Sequence, residues 1–193
     1  TKAEVAEAAC AAGACVVNDV SGLALDPDLA RVTAQAGAAL VIGHLRGTPR
    51  MMQDHVEFTD VVGEVTADLA ASLEHAVAAG VPRERIFLDP GIGFGKDLEG
   101  NLRLLRCGHH LRGALGRPVL IGPSRKSFIG KLTGAPVEER LPGTVAACVL
   151  ARIFGADLVR VHDVAEVRQA LQVTDALLGL WPDGVAALAL QRQ

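Results

Sequence analysis

Cysteine is scarce and unpaired in this 193-residue sequence: Cys10, Cys15, Cys107 and Cys148 include no C-x-x-C pair. That spacing gives no support to a zinc site or a redox dithiol, and the four are expected to be buried, reduced thiols of a cytoplasmic protein. No uncharged apolar run reaches the about 18 residues of a membrane-span candidate, and no signal sequence opens the chain. A soluble, unexported protein without a membrane partner is expected. The net charge of −3 offers no broad electrostatic reason to bind nucleic acid or an anionic membrane, although basic residues can still gather locally around a small anion. H-E-x-x-H and G-x-S-x-G are both missing, so zinc-protease and serine-hydrolase readings lack support. An initial Met is missing too. The chain opens at Thr1 and runs straight into the helical pattern Lys2–Ala9, like a piece cut from something longer.

What is present is apolar mass and a weak internal repeat. Half the residues are hydrophobic and 21% charged, enough for one domain with an ample core and too ordered a composition for a disordered or fibrous chain. Ala-rich amphipathic stretches end at a glycine, and a short aliphatic run follows. The pivots are Gly13 before Ala14–Val17, Gly37 before Ala38–Ile42, Gly80 before Ile86–Leu88, Gly116 before Val119–Ile121 and Gly155 before Leu158–Val161. Glycine suits the left-handed residue just past a helix end. The runs are short and uniformly apolar, as in parallel strands covered on both faces. Helices are expected over Asp28–Ala36, Thr59–Ala79 (with Thr59 or Asp60 as cap), Gly100–Leu115, Pro142–Phe154 and Val164–Leu178, with a tail from Leu180 to Gln193 that holds the only Trp. This β-α alternation implies a parallel α/β sheet. A doubly wound sheet would carry a glycine-rich turn after its first strand, and no G-x-G-x-x-G or P-loop follows Val17. A TIM barrel carries functional groups at the C-terminal ends of many strands, but closes only with eight strands and about 250 residues.

All five runs end in polar clusters. Asn18-Asp19 after the first is either an Asx turn or an amide aimed at a ligand edge. His44-Leu45-Arg46-Gly47-Thr48-Pro49 offers two groups that could line an anion site, or an ordinary turn. The sharpest cluster is Asp89-Pro90-Gly91-Ile92-Gly93-Phe94-Gly95-Lys96. Its alternating glycines allow close backbone approach to a flat ligand, and Phe94 either presents its ring or caps the barrel mouth. A carboxylate at an apolar strand end needs a donor partner. Gly122-Pro123-Ser124-Arg125-Lys126-Ser127-Phe128 brings two cations to a strand end. Arg160 and His162 stand two apart, facing one side of an extended segment, and both can donate to phosphate oxygens. His75, His109 and His110 are expected at the surface.

Together these segments resemble the dihydropteroate synthase family. Asn18-Asp19-Val20-Ser21, the His44–Pro49 segment, Asp89–Lys96, Ser124–Phe128 and Arg160-Val161-His162-Asp163 occur in its order and at its approximate spacing. The resemblance implies an α/β TIM barrel, here about five parallel strands lacking the first three, over residues 1–179. It also implies condensation of 6-hydroxymethyl-7,8-dihydropterin diphosphate with 4-aminobenzoate to 7,8-dihydropteroate and diphosphate. Asn18, Asp89 and Lys126 would then bind the pterin. Phe94, Ser124 and the Lys126 stem would form the aminobenzoate pocket, Gly122 would join the substrate-binding set, and Arg160 and His162 would hold the diphosphate. Lys126, Arg160 and His162 are the implied catalytic groups. Mg²⁺ is implied as cofactor, with its protein ligand in the absent first-strand loop. Sulfonamides are the implied inhibitors, and a homodimer the implied full-length assembly. Gly43 departs from the family, many of whose members have Met before the His, and this is expected to widen one wall of the pterin pocket. The alternatives are an inactive fragment or paralogue, a methyltetrahydrofolate-dependent methyltransferase and, more distantly, a Schiff-base aldolase using Lys126 with Arg125 lowering its pKa.

Overall fold

A computed structural model of the chain describes residues 1–47 and 58–180. The five glycine pivots all have positive φ, from +63° at Gly37 and Gly116 to +105° at Gly13, as a left-handed residue past a helix end requires. The runs that follow them form β1 (Val16–Asp19), β2 (Ala39–Gly43), β3 (Ile86–Asp89), β4 (Leu120–Ile121) and β5 (Leu158–Val159). Pairing is parallel throughout. β1-β2-β3 make one sheet and β4-β5 a second. A bridge from Leu88 to Val119 joins them, with the Leu88 amide donating to the Pro118 carbonyl at 3.0 Å. The strands thus lie in chain order, and among the described residues they do not close into a barrel.

Register puts the functional groups at one end. Asn18 pairs with Val41, Asp19 with Ile42, and Gly43 with Asp89, so the polar residues share the carboxyl edge of the sheet. β1 begins two residues later than its apolar run suggests and takes in Asn18 and Asp19. Coverage on both faces holds at the centre, where Leu40, Ile42, Ile86, Leu88 and Ile121 are fully buried. It fails at the outer strands, where Val16 is 49% and Leu158 40% exposed, because among the described residues each has a neighbouring strand on one side only.

Eight α-helices pack around this sheet among the described residues: α1 (Ala3–Ala11), α2 (Leu29–Gln35), α3 (Val61–Ala78), α4 (Leu98–Leu105), α5 (Gly108–Leu115), α6 (Ser127–Thr133), α7 (Leu141–Ile153) and α8 (Val164–Leu177). In α3, Val61, Val65, Leu69, Leu73 and Ala76 form the buried stripe of an amphipathic helix. Its expected cap works in reverse. Asp60 makes no side-chain cap bond, and Glu64 reaches back so that Oε1 accepts from the Thr59 and Asp60 amides at 2.8 and 3.0 Å.

The single helix expected over Gly100–Leu115 is two. At the break Gly108 packs against the turn between α7 and β5, where a Cβ would lie 2.7 Å from the Phe154 carbonyl. The His109 amide donates to that carbonyl at 2.8 Å, so a tertiary contact, invisible in the periodicity, redirects the chain. α6 was not expected either, since its two turns are too short to show a period. Burial pushes the Cys107 and Cys148 thiols up to about 12. Cys10 is half-buried and Cys15 exposed, so the expectation of four buried thiols holds for two. His75, His109 and His110 are at the surface as expected. No helix among the described residues is long and apolar enough to cross a membrane. The tail lies outside the described residues from residue 181 onward.

Leu88 is fully buried where the two sheets meet. Leu88→Ala is expected to destabilise the chain by about 2–5 kcal/mol in urea unfolding. Leu150→Ala, at a half-exposed site on α7, should change stability by no more than about 0.5 kcal/mol.

Candidate active site

The loop after β3 is pinned from three directions. The Asp89 carboxylate, 3% exposed, turns back so that Oδ1 accepts from the Gly91 amide at 2.8 Å. Gly91 and Gly95 have φ of +72° and +64° and lie against backbone, where a Cβ on either would collide with the His44 or the Arg46 carbonyl oxygen. No other residue satisfies both conditions. Lys96, 9% exposed, folds back beneath the loop, and Nζ meets three acceptors: His44 Nδ1 at 2.8 Å, the His44 carbonyl at 3.0 Å and the Phe94 carbonyl at 2.9 Å. An ammonium donates to all three. His44 therefore carries its proton on Nε2 and donates to Asp68 Oδ2 at 3.0 Å. Burial, then the Lys96 charge, pushes His44 down to about 4. Burial above all lowers Lys96 to about 7, with the Asp89 carboxylate pulling the other way.

Asn101, buried on α4, completes the clamp. Its Oδ1 accepts from the Gly93 amide at 2.6 Å, and its Nδ2 donates to the Lys96 and Asp97 carbonyls at 3.1 and 2.7 Å. Sequence reasoning missed this residue, whose one signal is a polar side chain in the Leu-rich α4.

The anion site suggested for His44 and Arg46 does not form. Arg46 pairs with Glu64 at 2.7 Å and Asp68 at 3.4 Å and lies 3.9 Å over the Phe58 ring, while His44 is enclosed. Thr48 and Pro49 of the same segment lie outside the described residues. Asp19 proves to be a turn acid. Its fully buried carboxylate accepts from the Ser21 amide and hydroxyl and from the Leu23 amide at 2.7–3.1 Å. Gly43 does not widen the site, because its missing Cβ would sit 2.8 Å from the Asp19 carbonyl and 2.9 Å from Val20 Cα. Backbone already fills the space.

A cavity of about 440 Å³ opens at the same sheet edge, lined by Asn18, Phe94, Gly122, Ser124, Lys126, Arg160 and His162, with Val20 and Val161. Seven of the eight expected site residues meet there. The eighth, Asp89, is joined to them by Arg160, whose Nη1 lies 3.0 Å from Asp89 Oδ2 and donates to Asn18 Oδ1 at 2.6 Å. Lys126 Nζ sits 4.0 Å from the Phe94 ring centroid, a cation–π contact. Its pKa is lowered by burial first and by the Arg160 charge second, against the pull of Asp89. Ser124 Oγ accepts from the His162 amide at 3.2 Å and lies 2.8 Å from His162 Nδ1. Its own proton is available to Nδ1, which leaves Nε2 as the ring's N–H donor.

Of the two cations after β4, one faces this cavity. Arg125 turns away and forks onto Asp163 at 3.0 and 2.5 Å, and that pairing raises its pKa. Arg125 has φ +56°, uncommon without glycine. The strain is held by the buried Thr144, whose Oγ1 accepts the Arg125 amide at 3.0 Å, and by Arg140, whose Nη1 donates to the Arg125 carbonyl at 3.0 Å. Neither residue was legible as part of the site, Thr144 being one polar position in an apolar helix. The Schiff-base reading loses its premise as well, since burial and Arg160 act on Lys126 while Arg125 points elsewhere. Among the described residues no group of three or more His, Cys, Asp or Glu could hold a metal ion.

A family model described as "Pterin binding enzyme" matches residues 1–162. The dihydropteroate synthase of Synechocystis sp. is 47% identical over 178 residues, 92% of this chain and 61% of that protein. The chain therefore spans about three fifths of that curated relative. The "Inactive dihydropteroate synthase 2" of Mycobacterium bovis is 41% identical over 188 residues, 94% of this chain and 58% of that one. Crystal structures of the Thermus thermophilus dihydropteroate synthase in complex with 6HMPPP and with 4-aminobenzoate superpose with a TM-score of 0.85 at 46% identity. They cover 91% of this chain and 69% and 71% of those chains.

His44 sets a pH dependence of stability. The unfolded imidazole takes up a proton near its ordinary value of 6.5, and the folded one holds off to about 4. The unfolded state binds more protons in that window, so stability rises as pH goes from about 4 to 6.5. In urea unfolding at a series of pH values, His44→Gln is expected to flatten this rise relative to the unaltered chain. An equal slope in both would refute the assignment.

Proposed function

We propose that this chain, which belongs to the dihydropteroate synthase family of pterin-binding enzymes, supplies the last five strands of an eight-stranded barrel that joins a pterin diphosphate to 4-aminobenzoate. Residues 1–179 would form that part of a cytoplasmic enzyme, homodimeric at full length. The observation that carries the reading is the meeting of Asn18, Lys126, Arg160 and His162 on one cavity, with Asp89 attached through Arg160.

Each group has a task suited to its chemistry. The pterin's guanidine-like edge donates two hydrogen bonds to the Asp89 carboxylate, as an Arg would, and Asn18 meets further ring atoms. Lys126 donates to the ring's carbonyl oxygen. Its stem, Phe94 and Ser124 shape the place for the aminobenzoate ring. As the bond from the pterin methylene carbon to the diphosphate oxygen breaks, its electron pair leaves with the diphosphate. Arg160 and His162 Nε2–H stabilise that charge. The amine nitrogen of 4-aminobenzoate forms the new C–N bond and gives up a proton. A cation-like methylene needs no base to activate the amine. The residues described do not fit the family's Mg²⁺. No group of three or more His, Cys, Asp or Glu placed to hold the ion is present among them, so no step runs through the metal.

Isothermal titration of the complete protein with 6-hydroxymethyl-7,8-dihydropterin diphosphate should show binding that Asp89→Ala abolishes, and unchanged binding in the variant would sink the assignment. Competition by a sulfonamide separates this reading from a methyltetrahydrofolate-dependent methyltransferase. The second reading, a pterin-binding protein without synthase activity, is favoured by the 41% identity to a relative named inactive. The outer strands β1 and β5 have no partner on one side among the described residues, and an open barrel exposes edge and core. These 193 residues alone are therefore expected to turn over little or no substrate in a coupled diphosphate-release assay. Normal turnover would contradict the open-barrel argument.

A further inference from the structure

Arg160 does not stand ready beside an anion site. Its guanidinium lies on Asp89 Oδ2 and Asn18 Oδ1, the two side chains read above as holders of the pterin edge. Arg160 meets both acceptors with a single nitrogen, Nη1, and the aminopyrimidinone edge of the pterin would bring its own N–H groups to the same two atoms. They compete for one place. The geometry points to Arg160 as the specificity-determining residue of the site. A ligand is admitted when its own N–H groups replace the guanidinium on Asp89 and Asn18 and when it carries an anion to receive the guanidinium it displaces. This rests on the pterin reading of the site.

The surroundings suit an exchangeable occupant. The Arg160 side chain is 40% exposed while its carboxylate partner is 4% exposed. Asp89 thus keeps its demand for a donor whichever group answers it, and the guanidinium has somewhere to go. The guanidinium lies against Gly122, where a Cβ would sit 2.7 Å from Nη2, so no side chain stands between them at that position. Lys126 and His162 line the same cavity. Once off Asp89, the guanidinium joins a second cation and an N–H donor, an arrangement that is repulsive when empty and favourable around a diphosphate. A bare pterin meets only half of the requirement. It must evict Arg160 and leaves it without a partner.

The test compares two ligands on the complete protein, unaltered and as Arg160→Met and Arg160→Gln. The Gln variant keeps an amide donor for the buried carboxylate and is read alone should the Met variant not fold. Bare 6-hydroxymethyl-7,8-dihydropterin and its diphosphate are each titrated calorimetrically. Removing an occupant present in about nine molecules of ten should tighten the bare pterin about tenfold, while the diphosphate binds more weakly, so the preference between the two narrows from both ends. A residue that only clamps the anion would weaken the diphosphate and leave the bare pterin unmoved. Unchanged or weaker binding of the bare pterin in the variants therefore overturns the proposal and leaves the pterin site standing. Absence of binding by either ligand to the unaltered protein overturns the pterin reading, and this inference with it.

Discussion

A carboxylate buried at a strand end must be answered by donors, and much of this site follows from how Asp89 is answered. One oxygen takes the Gly91 amide, which bends the chain back at the start of the glycine loop. The other takes Arg160, which comes from beyond β5 and also reaches Asn18, 142 residues away in sequence. One guanidinium thus ties the ends of the first, third and fifth strands.

A second network, buried at Lys96 and His44 and reaching the surface at Asp68, sits beside the first and behaves differently. Lys96, His44 and Asp68 link the glycine loop to the end of β2 and to α3 through contacts of 2.8–3.0 Å, and Asn101 holds the loop from α4. Every proton of the Lys96 ammonium is used inside the protein, so none is left to seek a ligand. Arg160 is partly open to solvent, and its acceptors are those a substrate would want. The enclosed network fixes where Phe94 and Asp89 stand. The exposed one is free to exchange partners. Satisfying the enclosed donors and acceptors of the glycine loop and leaving one ion pair replaceable is a physically coherent division of labour around a small-molecule site.

Kinship with both named dihydropteroate synthases and a relative named inactive fits this arrangement. On the proposed reading, holding a flat heterocycle would use an acid, an amide and a close-packed backbone, which Asp89, Asn18 and the loop after β3 offer at the sheet edge. Expelling a diphosphate would also need its negative charge met from every side, and among the described residues one face of the cavity offers donors for it, from Arg160, His162 and Lys126. Recognition and turnover would thus place unequal demands on these strands.

The sequence by itself determined the strands, the pivots between helices and strands, and the end of the sheet at which chemistry occurs. Left-handed glycines and short aliphatic runs are local properties, governed by backbone sterics and side-chain period. That polar clusters would gather at one edge was legible for the same reason: parallel strands that end together bring their next residues together, while the choice among those residues came from the family resemblance. Partnerships were not legible. Whether Arg125 or Lys126 faces the cavity depends on Asp163, Thr144 and Arg140. Whether His44 meets an anion or Lys96 depends on a loop 52 residues on. The break before Gly108 depends on the Phe154 turn. The pairing of Arg160 with Asp89 and Asn18 likewise arose only in the folded chain. Each is a choice among donors and acceptors of equal chemical merit, and such choices are settled by distance and burial, which exist only once the tertiary structure has formed.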